Sequence, residues 1–506
     1  MRNKIKLFAV MLIAAAVILA LVSCGGGDDK SGGSGDNAEG GGADSADGSN
    51  AENPEPEKIY PDLPPVDYEG YEFTFLSWGI NTADWAEWDH RDFAAEVLDG
   101  ELINDTVYNR NKKIEEKYNI TINEIGVQHG EFNSMVTRAI SAGDDIYDVV
   151  APQVFGFPPL AQNGNFVDWF SVPNLDLAMP WWDQGTVRDL SIIKRLFILQ
   201  GDLLIVDNDS MEAMIFNKRL HQDHALDNLY ETVKKGEWTL NKLYELSKGV
   251  AQDLNGDGRM YIRDDLFGII LQADTNVSFF VSGGEKICAK DPDDFPIITF
   301  GSERGYKITD IISEIMLDED NVVHLHRYEG QFGIYDEQVK MMEEDRALFS
   351  WIRMRIVERL RGMETDFGIL PLPKLDNAQE NYITHMNPHT GRGICIPVTA
   401  SNLARTGAIL EDLSAESRYT LQAAYYEINL RGKYARDDES QEMLDIILNN
   451  TAHDIGYVYN FGSFAGDTML RHGQNKRTDY ASAFERAEIR MQQAIDKVVE
   501  AYENIE

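Results

Sequence analysis

"ITINEIGVQHGEFNSMVTRAISAGDDIYDVVAP", residues 120–152, decides the fold class. Residues 120–127 are β-branched and alternate, which reads as a strand. Residues 130–143 place Phe132, Met135, Val136, Ala139 and Ile140 on one face, the spacing of an amphipathic helix. "YDVVAP" (147–152) is a short apolar strand. Working upstream, "YEFTFLSW" (71–78) alternates and is rich in aromatics, and 104–118 carries Val107, Ile114 and Tyr118 at helical spacing. Strand, helix, strand, helix, strand argues for parallel βαβ units and an α/β class. In open α/β sheets, ligands bind beyond the carboxyl ends of the strands. Here those ends are Trp78 and residues 151–153.

A second region repeats this grammar. "DRALFSWI" reads as a strand ending near Trp351, "RMRIVERLRGM" as a helix, and "DFGILPLPK" (366–374) as a strand running into a Pro-broken turn. "RGICIPV" (392–398) is another short strand. The stretch from Asp479 to Asn504 is a long amphipathic helix with Phe484, Met491, Ile495 and Val498 on one side. No repeat of fixed period is present.

The chain has 506 residues and a net charge of −39, which argues against nucleic acid and anionic surfaces as partners. An anionic substrate is disfavoured too, unless a local basic pocket overrides the field. Residues 1–23 have a basic start and the apolar run Leu7–Leu21, the form of a secretory signal. Residues 24–58 are Gly, Ser, Asp, Glu and Asn with almost nothing apolar, a flexible acidic tether. Beyond Cys24 only Cys288 and Cys395 remain. They could form one bridge or stay as two buried thiols.

"LVSC" (21–24) resembles the lipobox of bacterial lipoproteins, in which the Cys carries the lipid; the resemblance implies Cys24 as the lipidated residue. "YDVVAPQVFGFPPLAQNGNFVDW", "LFILQGDLLIVDNDSMEAMIFNKRL", "GEWTLNKLYELSK", "DRALFSWIRMRIVERL" and "FGILPLPK" follow one another in an order that resembles the solute-binding lipoproteins of sugar ABC importers, of the maltose-binding, family 1 type. The likeness extends over nearly the whole mature chain. It implies the two-lobe periplasmic-binding-protein fold, type II-like, with lobes joined by crossing strands around a central ligand cleft. Crossings are expected near Phe197–Gln200, Gly393–Pro397 and about Leu430. Lobe 1 is expected over 59–198 with 395–430, and lobe 2 over 199–394 with 431–506. Implied partners are a carbohydrate, an oligosaccharide by preference, and the permease subunits of an ABC transporter. The chain is expected to act as a monomer on the outer face of the cell membrane, held there through its lipid anchor alone.

Sugars present flat C–H faces ringed by hydroxyls, so a site needs aromatic faces with carboxylates or amides. Trp78 and Trp351 end strands, Trp181 and Trp182 form the "PWWDQ" pair, and Tyr457 lies in "GYVYNFG". Trp85, Trp88 and Tyr459 are further aromatics of this kind. Gln153 follows a parallel strand, and Asp202 and Asp207 follow the first expected crossing. Each aromatic has an alternative place in a packed core, and each polar residue one in a solvated turn.

"DLNGDGRMYIRDD" (253–265) spells a calcium loop. Asp253, Asn255 and Asp257 stand at positions 1, 3 and 5, Gly258 at 6, Arg259 offers its carbonyl at 7, and Asp264 stands at 12, where Asp replaces Glu. A helix precedes the loop and a strand follows it, so calcium is expected as a structural staple rather than a switch. Zinc and nucleophile-elbow motifs are missing; "HQDH" (221–224) lacks a third ligand and "GSFAG" (462–466) has Ser misplaced. A non-catalytic binder is expected. The alternative is a lipid-anchored, calcium-stabilised glycan hydrolase, which needs two carboxylates brought close in space.

Overall fold

The computed structural model describes residues 58–79, 88–431 and 438–505. The expected signal, Cys24, most of the tether and Trp85 lie outside them, and the third expected crossing, about Leu430, runs into residues outside them. Strand β1 (Tyr71–Trp78) pairs in parallel with β2 (Ile120–Val127) along its whole length, Tyr71 opposite Ile120 and Trp78 opposite Val127. On its other side β1 pairs in parallel with β3 (Val149–Val150). The helices α1 (Leu102–Tyr118) and α2 (His129–Ala142) are the crossovers. The Glu101 carboxylate caps α1 by accepting the Asn104 N–H, and Asn119 ends it at φ 46°. Gly143 ends α2 at φ 71°, where a side chain would be strained.

The segments expected as crossings extend this sheet. Val150 pairs with Cys395, and Leu199 with Ile394, each by reciprocal backbone hydrogen bonds of 2.8–3.0 Å. Gly201 follows the first segment. A Cβ there would collide with the Trp181 carbonyl and the Trp182 ring, so the position requires glycine.

The second sheet is built from β4 (Glu212–Asn217), β5 (Phe267–Leu271), β8 (Val322–His324), β9 (Ala347–Arg353) and β10 (Phe367–Leu370), in the order β10-β4-β9-β5-β8. Strands β8, β5 and β9 run parallel. Strand β4 is antiparallel to both β9 and β10, so the grammar of the first sheet holds for only part of the second. Every residue of β4, β5 and β9 is buried, because helices cover both faces. A small hairpin, β6 (Cys288–Lys290) with β7 (Pro296–Ile298), lies apart. Where the sheets meet, three stretches run side by side. Met211 pairs with Met386, and β11 (Thr384–His385) pairs with β12 (Thr451–Ala452).

Cys288 and Cys395 are free and buried, which decides between the two readings of that pair. Burial pushes both thiols well above their ordinary value. No helix among the described residues is long and apolar enough to cross a membrane.

Candidate functional site

The carboxyl ends of the parallel strands of both sheets face a cleft of about 960 Å³. From the first sheet come Gln153 and Phe155, after β3, and His129, after β2. From the second come Gln272–Asp274, after β5, His326, after β8, and Arg353, the last residue of β9. His389 and Thr390 line it from the segment returning to the first sheet; Asn460, Ser463, Asp467 and Arg471 line it from the C-terminal region. A side chamber of about 240 Å³ is walled by Trp78, His129, Phe132 and Gln153. His129 and Gln153 belong to both spaces.

The floor of the cleft is a buried charge network. Arg353 Nη2 lies 2.6 Å from Asp274 Oδ2, and Tyr457 Oη donates to Asp274 Oδ1 at 2.8 Å. Arg353 Nη1 also donates to the Tyr335 hydroxyl. Burial pushes the Asp274 carboxyl up, but Arg353, with His389, His326 and the Tyr457 hydroxyl, outweighs it and holds the group well below the usual carboxylate range. Asp274 is therefore charged and has no proton to give at neutral pH, so it is not a general acid. Just beneath, the buried Glu212 carboxylate takes His385 Nδ1 at 2.8 Å, Asn387 Nδ2 at 2.8 Å and Ser278 Oγ at 2.5 Å.

The cleft histidines are neutral hydrogen-bonding groups. Burial lowers His129, His326 and His389 below the ordinary histidine value. His326 Nδ1 accepts the Ala273 N–H at 3.1 Å, which leaves its proton on Nε2. Phe155 packs on His389 at a ring distance of 4.1 Å. These flat groups beside amides and neutral imidazoles can meet both a C–H face and a hydroxyl rim.

Of the residues expected at a ligand, Gln153 lines the cleft, where its amide donates to the His389 carbonyl. Trp78 walls the side chamber and stacks on His129 at 4.2 Å. Tyr457 is fully buried and acts from below, through Asp274. Trp351 is fully buried inside the second sheet with the Arg353 guanidinium 5.0 Å from its ring; because β9 is covered on both faces, its aromatic faces the core. Trp181 and Trp182 are buried away from the cleft, with Trp182 Nε1 donating to Glu411 Oε2 at 2.8 Å. Asp202 is taken by Arg418 at 2.8 Å, and Asp207 is buried on the short helix Val206–Asp209. Trp88 is buried near Tyr335, and Tyr459 donates to or accepts from Tyr502 at 2.6 Å. Asp274, Tyr335, Arg353 and His389 were not singled out from the sequence; His326 stands out there only as the end of "HLH" (324–326), a weak metal motif. The strand-end rule that picked Trp78 and Gln153, applied to β5 and β9, would have reached Asp274 and Arg353.

The loop 253–265 joins the helix Leu240–Lys248, capped by Thr239, to β5. Asp253 accepts from Gly256 N and Gly258 N at 2.7 and 2.8 Å, Asn255 from Asp257 N, and Asp257 from Arg259 N, both at 2.9 Å. Gly256 and Gly258 supply the positive φ that wraps the turn. All the donors on this turn are hard oxygens with lone pairs left over, a set that fits calcium by type. Asp264 is exposed; its neighbour Asp265 is buried and accepts from Leu254 N and Tyr261 N. Among the described residues no three His, Cys, Asp or Glu side chains converge on one point.

No family model and no curated protein matches the chain. Solved structures do. An ABC substrate-binding protein from Listeria monocytogenes, in complex with cycloalternan, gives a TM-score of 0.53 at 10% identity, over 86% of this chain and 100% of that one. A cyclo/maltodextrin-binding protein complexed with maltotetraose gives 0.55 at 12% identity, over 84% and 98%. UgpB from Mycobacterium tuberculosis, in complex with glycerophosphocholine, gives 0.54 at 12% identity, over 85% and 98%. The likeness establishes the architecture: this chain has the α/β, two-lobe fold of the periplasmic binding proteins.

Proposed function

We propose that this chain is a solute-binding protein that captures a carbohydrate between its two sheets and hands it to an ABC permease. The observation that carries the proposal is the cleft of about 960 Å³ at the carboxyl ends of both sheets, walled by amides, neutral imidazoles, aromatic rings and charged side chains of both signs. Its volume stands near the top of the roughly 300–1,000 Å³ range of ligand pockets, which suits an oligosaccharide. Neighbours of the same fold hold cycloalternan and maltotetraose, which favours sugars as the ligand class. They are named as binding proteins, which favours capture over catalysis. With the lobes divided near 198 and 394, closure would bend the stretches that follow Gln200 and precede Gly391.

Anchoring through Cys24 at the cell surface completes the reading, with calcium held by Asp253, Asn255, Asp257, the Arg259 carbonyl and Asp264 as a staple of the fold. Calorimetry and thermal shift on the mature chain, with mono- and oligosaccharides beside peptides, test the central claim. A sugar should bind and raise the melting temperature; binding of peptides alone would overturn it. Cys24→Ala should release the protein from the membrane fraction.

A further inference from the structure

One stretch of the cleft wall holds a strained shape. Among the described residues that line the cleft, only Asn460 and Ser463 carry side chains at positive φ, 45° and 60°. Such backbone is uncommon for a serine, and a glycine would relieve it. The turn is well fixed. Phe461 is buried, Ser463 N donates to the Asn460 carbonyl at 2.8 Å, and Asn460 Oδ1 accepts from Gly466 N at 3.0 Å. A π-helical turn, Ala465–Met469, follows at once. Positive-φ side chains and π turns both gather at functional sites, because each persists against a local cost.

The side chains on this stretch are equally distinct. Ser463, Asp467 and Arg471 follow at four-residue intervals, and all three line the cleft and are exposed. Among the described residues their side chains make no hydrogen bond and no ion pair. The other charged side chains of the cleft lining are engaged. Arg353 holds Asp274, Arg359 holds Asp336, and Glu329 accepts from Gln474. Asp467 and Arg471, about one turn apart and opposite in sign, do not pair with each other either. A carboxylate only accepts hydrogen bonds, a guanidinium only donates them, and a hydroxyl does both. The stretch thus presents all three capacities to the cleft, unused.

We propose that Ser463, Asp467 and Arg471 are specificity-determining residues of the cleft, and that they read neighbouring free hydroxyls on a neutral sugar. This rests on the carbohydrate reading and narrows it. One sugar hydroxyl can donate to Asp467 while its neighbour accepts from Arg471, and a charged partner makes such a bond roughly twice as strong as a neutral one. The two charges cancel, so a neutral ring satisfies both. An acidic sugar would meet Asp467, and an amino sugar Arg471, as like charges. The strained turn fixes the Ser463 position before a ligand arrives, which lowers the ordering cost of binding.

The test is calorimetry on the mature chain with a panel of neutral gluco-, manno- and galacto-oligosaccharides, followed by the monodeoxy forms of the tightest binder. Asp467→Asn and Arg471→Gln should each weaken that sugar about tenfold or more. The melting temperature should not change, because neither side chain has a partner to lose. For each variant, one monodeoxy form should bind variant and wild type alike, since the hydroxyl that the residue reads is already gone. Ser463→Gly should leave the melting temperature no lower, by relieving the turn, and still weaken binding. Variants that bind the sugar as tightly as wild type overturn the proposal and leave the carbohydrate reading standing. An equal loss toward the sugar and all its monodeoxy forms also overturns it, and makes these residues parts of lobe closure instead. Failure of every sugar to bind the wild-type chain overturns both readings.

Discussion

Asp274 and Arg353 end neighbouring strand segments, 79 residues apart in sequence, and meet at 2.6 Å on the floor of the cleft. The pair is buried, and Tyr457 and Tyr335 occupy its outer hydrogen-bonding positions. Breaking it from one side strands a charge. Asp274→Ala should cost about 3–5 kcal/mol in denaturant unfolding. Adding Arg353→Met should recover part of that loss, and a double variant no more stable than the single would rule out charge stranding as the cause.

The pair also has a pH signature. The Asp274 carboxyl is held low in the folded state, so its contribution is complete above the unfolded carboxylate pKa. That contribution is lost as pH falls through the folded value, in strongly acidic solution. Wild-type and Asp274→Asn stabilities should therefore differ most at neutral pH and converge only at the acid end of a titration.

Glu411 should act with the opposite sign. Burial pushes its carboxyl up to about 7, against the Trp182 and Trp181 N–H groups that favour its charged form. The folded state then holds a proton that the unfolded state has released, so stability falls as pH rises from the ordinary glutamate value to about 7. Asp202, pushed up to about 6 by burial against Arg418, adds to the same slope. Glu411→Gln should flatten the decline and gain relative to wild type at pH 8. An unchanged slope in urea melts would assign it to other groups.

Phe155 offers a cleft surface without a structural burden. It is only partly buried, with ring contacts to His389 at 4.1 Å and, edge-on, to Tyr457 at 6.3 Å. Phe155→Ala should weaken ligand binding about tenfold, through lost stacking, with little change in melting temperature. A large drop in stability with unaltered affinity would place the ring in the core instead.

The loop at 253–265 gives the last expectation. A chelator should lower the melting temperature, and added calcium should restore it, with Asp253→Ala insensitive to both. Ligand preference should stay the same throughout, because the loop lies outside the cleft lining. A chelator that changed which ligand binds would tie the loop to recognition.

The first sheet was legible because alternation and helical spacing are local. Strands 71–78 and 120–127 fall at the residues their patterns mark. Gln153 was legible for the same reason, since it needs only a parallel strand and its end. Trp351 was misleading because a strand covered on both faces buries every aromatic it carries, and no local pattern distinguishes that from a strand end at a cleft. The antiparallel β4 follows from pairings with β9 and β10 far along the chain. Asp274 with Arg353, and Trp78 with Arg392, are long-range meetings that spacing alone cannot announce.

The stretches around Met211, Met386 and Ala452 lie edge to edge where the two sheets meet. A lone strand joining two bodies can twist, swivel and bend. A band several strands wide resists all but bending across its width. The two halves should therefore move like the leaves of a book, with one angle describing every position between open and shut. Spin labels placed far apart on opposite halves should then report distances that change in fixed proportion.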